Sequence, residues 1–164
     1  MELKRYPLAA NNFIFGVCNF FVLPLPPAWE LVRGPFDPEV DRQARRGDLS
    51  WVQEGRAMFL LVNRGYRLTV ELHIAVHPHN APPQVPSNRV GWTRGQLMIG
   101  GHAAEYVQGE QLRGWWRRTR VGMLRTAFYC DALARGISLE LIGEGGETAH
   151  LMEVLQALSQ LQCH

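Results

Sequence analysis

The chain has 164 residues, of which 46% are hydrophobic and 20% charged, values of an ordinary globular domain long enough to bury a core without disulfides or a structural metal. A formal charge of only +2 weighs against a dedicated polyanion binder, and no acidic tail, basic arm or low-complexity tract points to disorder. Sixteen of the seventeen basic residues are Arg and the other is Lys4; a skew this even along the chain reads as base composition rather than as a binding device.

Residues 13–25 are apolar enough to raise a signal peptide or a membrane span. Gly16 and Asn19 interrupt the stretch, and Pro24, Pro26 and Pro27 end it too early to cross about 30 Å of hydrocarbon. Neither a span nor an export signal is expected. Cys18, Cys130 and Cys163 are odd in number and too few for a secreted disulfide scaffold, which makes the cytoplasm the expected compartment.

In chain order, residues 20–23 read as a strand after a short lead. Pro26 and Pro27 force a rigid turn, and the apolar pattern resumes over 29–32. Residues 34–47 are polar and charged and read as a surface loop. Strands are expected at 49–53, 58–62 and 66–76, joined by short Gly-containing turns into a meander. The third alternates, with Leu68, Val70, Leu72, Ile74 and Val76 on one face and Arg67, Thr69, Glu71, His73 and Ala75 on the other, the pattern of a half-buried strand.

A Pro-rich connection over 77–90 cannot supply ladder donors and separates two halves of the fold. A second meander follows, with strands near 96–99, 102–107, 123–130 and 137–142, the middle two divided by a long arginine-rich segment. From Thr148 the period lengthens, and Leu151, Val154, Leu155, Leu158 and Leu161 form one helical stripe. Thr148 suits the helix cap and Glu153 the N-terminal dipole. The expected fold is α+β: one domain over 1–164, an antiparallel sheet built from two strand meanders and packed by a C-terminal helix.

Phe21, Val22, Leu23 and Pro24, then Trp29, then a final strand and helix give an order of elements that resembles the PsbP-like and DcrB-like group of small α+β domains. The resemblance implies an accessory or adaptor protein with a binding role rather than a shared active site.

Standard catalytic signatures are absent: there is no phosphate-binding Gly-rich loop, no H-E-x-x-H, no G-x-S-x-G and no paired C-x-x-C. No catalytic residue and no cofactor are assigned. Three clusters carry chemistry. Glu71 and His73 share the wet face of one strand and, with His77 and His79 beyond, offer a weak metal site. Solvated surface is the plainer reading, and no stoichiometric zinc or iron is expected there.

The second cluster is Arg113, Trp115, Trp116, Arg117, Arg118 and Arg120, with Arg125 beyond it. Arg interleaved with Trp suits a protein interface or self-association. It also suits single-stranded nucleic acid, where rings stack on bases and guanidinium groups meet phosphates. Packing of one ring in the core is the structural alternative. The third cluster pairs Cys130 with Cys163. A strand of about seven residues at ~3.3 Å each is nearly matched by a helix of about fifteen at ~1.5 Å, so two reversals return the chain end to Cys130. A disulfide, a buried thiol pair or a partial metal site would follow. The leading functional expectation is a noncatalytic binding or adaptor protein with a protein partner; the alternatives are a single-stranded nucleic-acid binder and a metal-dependent enzyme centred on His73.

Overall fold

The computed structural model describes residues 2–12, 16–32, 51–52, 56–79, 87, 89–145 and 148–163. The expected loop over 34–47 and most of the Pro-rich connection lie outside them. The strands are β1 (Lys4–Asn12), β2 (Gly16–Leu25), β3 (Trp29–Val32), β4 (Trp51–Val52), β5 (Arg56–Asn63), β6 (Leu68–His79), β7 (Thr93–Ile99), β8 (His102–Arg113), β9 (Thr119–Cys130) and β10 (Arg135–Glu144). Helix α1 (Ala149–Ala157) follows and tightens into a 3-10 turn at Leu158–Gln160.

Seven strands form one sheet in the order β3-β5-β6-β10-β9-β8-β7, with every neighbouring pair antiparallel. The order follows from two meanders, β5-β6 and β7-β8-β9-β10, joined where β10 pairs with β6. Three further strands pair separately as β2-β1-β4. The architecture is therefore mostly antiparallel sheet with a single short C-terminal helix among the described residues, an α+β arrangement in which the helix is minor. No described helix is long and apolar enough to cross a membrane.

Alternation sets the faces. Val70, Leu72 and Ile74 of β6, Leu124, Phe128 and Cys130 of β9, and Ile137, Leu139 and Leu141 of β10 are buried together. They meet Leu151, Val154, Leu155 and Leu158 from the helix and its final turn, and Leu23, Leu25 and Trp29 from the N-terminal part. The opposite face keeps Glu71, His73, Arg125 and Glu140 in partial contact with water and holds a small apolar island of Val121, Met123 and Ile142 under Trp92. Guanidinium groups of Arg89 and Arg125 lie 5.5 and 5.8 Å from the Trp92 ring centroid, a cation–π arrangement that shields the island.

Several sequence expectations are corrected. Within the lead before residue 20, Lys4–Asn12 is strand β1, paired along β2, which already begins at Gly16; the polar and apolar residues of β1 do not alternate cleanly, so the pattern gave no strand signal. In place of the expected hairpin with β5, the described residues of β4 pair with β1, in parallel, whereas β5 pairs with β3 and β6. Local turn signals suggested the hairpin, but strand partners are chosen by non-local contacts. The arginine-rich segment is mostly ladder, for β8 and β9 stay paired out to Arg113↔Thr119. β6 runs on to His79, so Pro78 lies inside a strand. Thr148 precedes the helix but makes no side-chain cap, and no acidic residue stands in its first turn; Glu153 falls one turn too late.

Candidate functional site

Two places on the β8–β9 hairpin concentrate functional side chains, one at each end. At the outer end the turn over 114–118 is closed by Gly114, whose φ of +110° is open to glycine and strained for other residues. A side chain there would also clash with the Arg117 carbonyl oxygen. Residues 112–120 are all exposed, and the Trp115 and Trp116 rings are exposed to 92% and 97%. Leu112 adds 58% exposure beside them.

The arginines of this end divide into held and unheld. Arg113 donates from one nitrogen to both carboxylate oxygens of Glu71, at 3.1 and 3.0 Å. Glu71 also meets His73 Nε2 at 3.1 Å. Strands β8 and β6 are separated by β9 and β10, and Arg113 lies four positions beyond Gly109, the residue level with Glu71; about 14 Å across and about 13 Å along a flat sheet exceed the reach of the two side chains, so this contact requires the hairpin end to curl over the wet face. Burial raises the Glu71 pKa, but hydrogen bonds from His73 and Arg113 together with their charge outweigh it and hold the carboxyl below its ordinary value of 4.5. Arg120 faces Glu110 at 3.4 Å. Among the described residues Arg117 and Arg118 meet no carboxylate.

Glu71 is thus engaged with the Arg113 guanidinium and with His73, and His77 turns to the Ser138 hydroxyl at 2.7 Å. These three side chains do not converge. Arg125, the outlying member of the arginine cluster, pairs with Glu140 across β9 and β10. It braces the sheet rather than joining the tip.

At the inner end, His102 opens β8 and Cys130 closes β9. Cys163 arrives from the C-terminal tail. Two contacts clamp that tail: Gly100 N–H donates to Ser159 O at 3.1 Å, and Val22 and Gln162 exchange backbone hydrogen bonds of 2.8 and 3.2 Å. The Cys130 and Cys163 sulfurs lie 2.8 Å apart, with the residues 0% and 1% exposed. His102 Nε2 is 3.3 Å from the Cys163 sulfur. Its ring stacks on Phe128 with centroids 5.8 Å apart and planes 14° off parallel, and its Nδ1 stands 3.9 Å from the Asp131 carboxylate. Burial, reinforced by the neighbouring Cys130 thiol, pushes the Cys163 thiol up to about 12.

Sequence reasoning brought Cys130 and Cys163 to one level of the fold and missed His102. The available signal was the Gly100-Gly101 turn. It ends β7 against the same tail that carries Cys163, with both glycines at positive φ.

No family model matches the chain, and no curated protein does. Among solved structures, LpqN, involved in cell envelope biogenesis of Mycobacterium tuberculosis, is similar at a TM-score of 0.47 and 11% identity, over 99% of this chain and 91% of that one.

Proposed function

We propose that the protein is a noncatalytic binding or adaptor module that docks a protein partner through the tip of the β8–β9 hairpin. The observation that carries this reading is the pair of adjacent, almost fully exposed Trp115 and Trp116 rings. An indole offers on the order of 150–250 Å² to bury, about 4–6 kcal/mol each at ~25 cal/mol/Å². A fold that leaves two of them in water forfeits that burial unless a partner supplies it, and Trp and Arg are the residue types that anchor interfaces. Arg117 and Arg118, which meet no carboxylate among the described residues, fit a partner whose apolar pocket is rimmed by acidic side chains.

Resemblance in element order to the PsbP-like and DcrB-like domains, a group of accessory and adaptor proteins, supports the same reading. The cytoplasm remains the proposed compartment. Single-stranded nucleic acid is the second reading, favoured by the alternation of rings and guanidinium groups. The low net charge and the acidic Glu71 and Glu110 at the flanks of the tip argue for protein instead.

A photo-crosslinking residue in place of Leu112, used in cells that make the chain, tests the proposal. One discrete protein adduct that disappears with Trp115→Ala or Trp116→Ala is expected. Tight binding of single-stranded oligonucleotides that falls steeply with salt would instead select the second reading.

A further inference from the structure

We propose that His102, Cys130 and Cys163 form a binding site for one thiophilic d10 metal ion, zinc(II) or copper(I), where the C-terminal tail meets the inner end of the β8–β9 hairpin. The site is remote from Glu71 and His73, where the sequence suggested a metal at most weakly. It does not depend on the docking role of the tip.

Ligand convergence is the first argument. One nitrogen and two sulfurs from three separate segments all lie within 4.8 Å of one another. Tetrahedral coordination at about 2.3 Å to sulfur and 2.0–2.1 Å to nitrogen needs separations of roughly 3.8 Å between sulfurs and 3.5 Å from sulfur to nitrogen. The Cys163 to His102 distance of 3.3 Å already fits. The sulfurs, at 2.8 Å, need to part by about 1 Å to meet that spacing, within reach of a small χ1 adjustment.

The donor set decides the ion class. Two sulfurs and an imidazole favour zinc or copper(I), whereas magnesium and calcium require oxygen ligands.

The surroundings are those of a metal-binding histidine. Such a ring usually presents its second nitrogen to a carboxylate or carbonyl, which fixes the tautomer and leaves the other lone pair for the metal. His102 has Asp131 on its Nδ1 side, 3.9 Å away, while Nε2 points at Cys163. Phe128 holds the plane of the ring by stacking. Both sulfurs are shut from water, and the His102 side chain, 13% exposed, stands at the rim as the point of entry. Backbone clamps on either side of Leu161 hold the tail in place without the metal, so binding does not have to order it.

The experiment uses the untagged full chain, reduced and handled without oxygen. Cobalt(II) serves as the optical reporter for zinc(II), and copper(I) is titrated against a chromophoric chelator. One ion per chain is expected, with a thiolate-to-cobalt charge-transfer band that zinc(II) abolishes by displacement. Cys130→Ser and Cys163→Ser should each eliminate the band, while Cys18→Ser leaves it intact. His102→Gln keeps both thiols and should weaken binding by at least tenfold, a readout available even if a Cys variant fails to fold. Asp131→Asn should weaken it by about tenfold, the lower end for an outer-shell partner because that carboxylate is largely exposed. Absence of binding by either metal overturns the proposal. So does a band that survives Cys163→Ser, or a Cys130–Cys163 disulfide that persists in the reduced protein while Cys18 remains a thiol.

Discussion

The two ends of the β8–β9 hairpin are built from the same ladder and meet opposite fates. At the inner end, Ala104 pairs with Phe128 and both are buried; at the outer end, Arg113 pairs with Thr119 and both are exposed. Hydrogen bonding does not separate them, since pairing is continuous between. Coverage does. The inner end lies under the helix, its 3-10 turn and the tail, whereas among the described residues β10 pairs to Val121, with Gly145 N–H reaching Arg120 O, and the outer end overhangs beyond. Burial along a hairpin is therefore set by what crosses it, and side-chain type follows: Phe and Cys beneath the tail, Trp and Arg in water.

Phe128→Ala gives the sharpest test of that contrast. The ring is 1% exposed and also supports His102, so removing it should cost about 3–5 kcal/mol in a urea unfolding experiment. A loss below 1 kcal/mol would mean that the inner end is not core.

Gly100→Ala should come next. The residue sits at φ +56°, and an added Cβ would lie 2.5 Å from the Leu161 carbonyl oxygen. Strain of this kind costs about 1–3 kcal/mol. Because backbone rather than a flexible side chain is in the way, the tail should lift and metal binding at Cys163 should weaken in parallel. A stability loss with binding unchanged would uncouple tail and site.

A smaller effect belongs to the ion pair that holds the curled tip. The Glu71 carboxyl has a lowered pKa in the folded protein, so its stabilisation is complete above the unfolded value of 4.5 and is lost as pH falls through the folded value. Glu71→Gln should thus lower stability at pH 7 and make no difference once the pH is well below both values. With Arg113 half exposed, the gap should stay under about 1 kcal/mol. A constant difference across the acid range would show that the contribution is not electrostatic.

Least of all should the outer tryptophans matter to folding. Trp115→Ala and Trp116→Ala, singly or together, should leave unfolding midpoints within about 0.5 kcal/mol of wild type while abolishing the crosslinked adduct. A large loss of stability would move the tip from interface to core.

The sequence by itself determined the faces of the central strands and the helix stripe. A side-chain period of two in β6 and of three to four from Leu151 to Leu161 leaves one arrangement that buries Val70, Leu72, Ile74, Leu155 and Leu158 together. It also brought Cys163 to Cys130, though not by the matched lengths it assumed: the strand runs to ten residues and the helix to nine, and the 3-10 turn with the tail beyond it carries Cys163 the rest of the way. Only the tertiary structure decided that β4 pairs with β1, that the arginine-rich segment continues the ladder, and that His102 joins the two cysteines. The physical reason is common to all three. Each depends on which distant backbone supplies the next hydrogen bonds, and strand partnership and tail route are properties of the whole sheet that no local pattern of residues encodes.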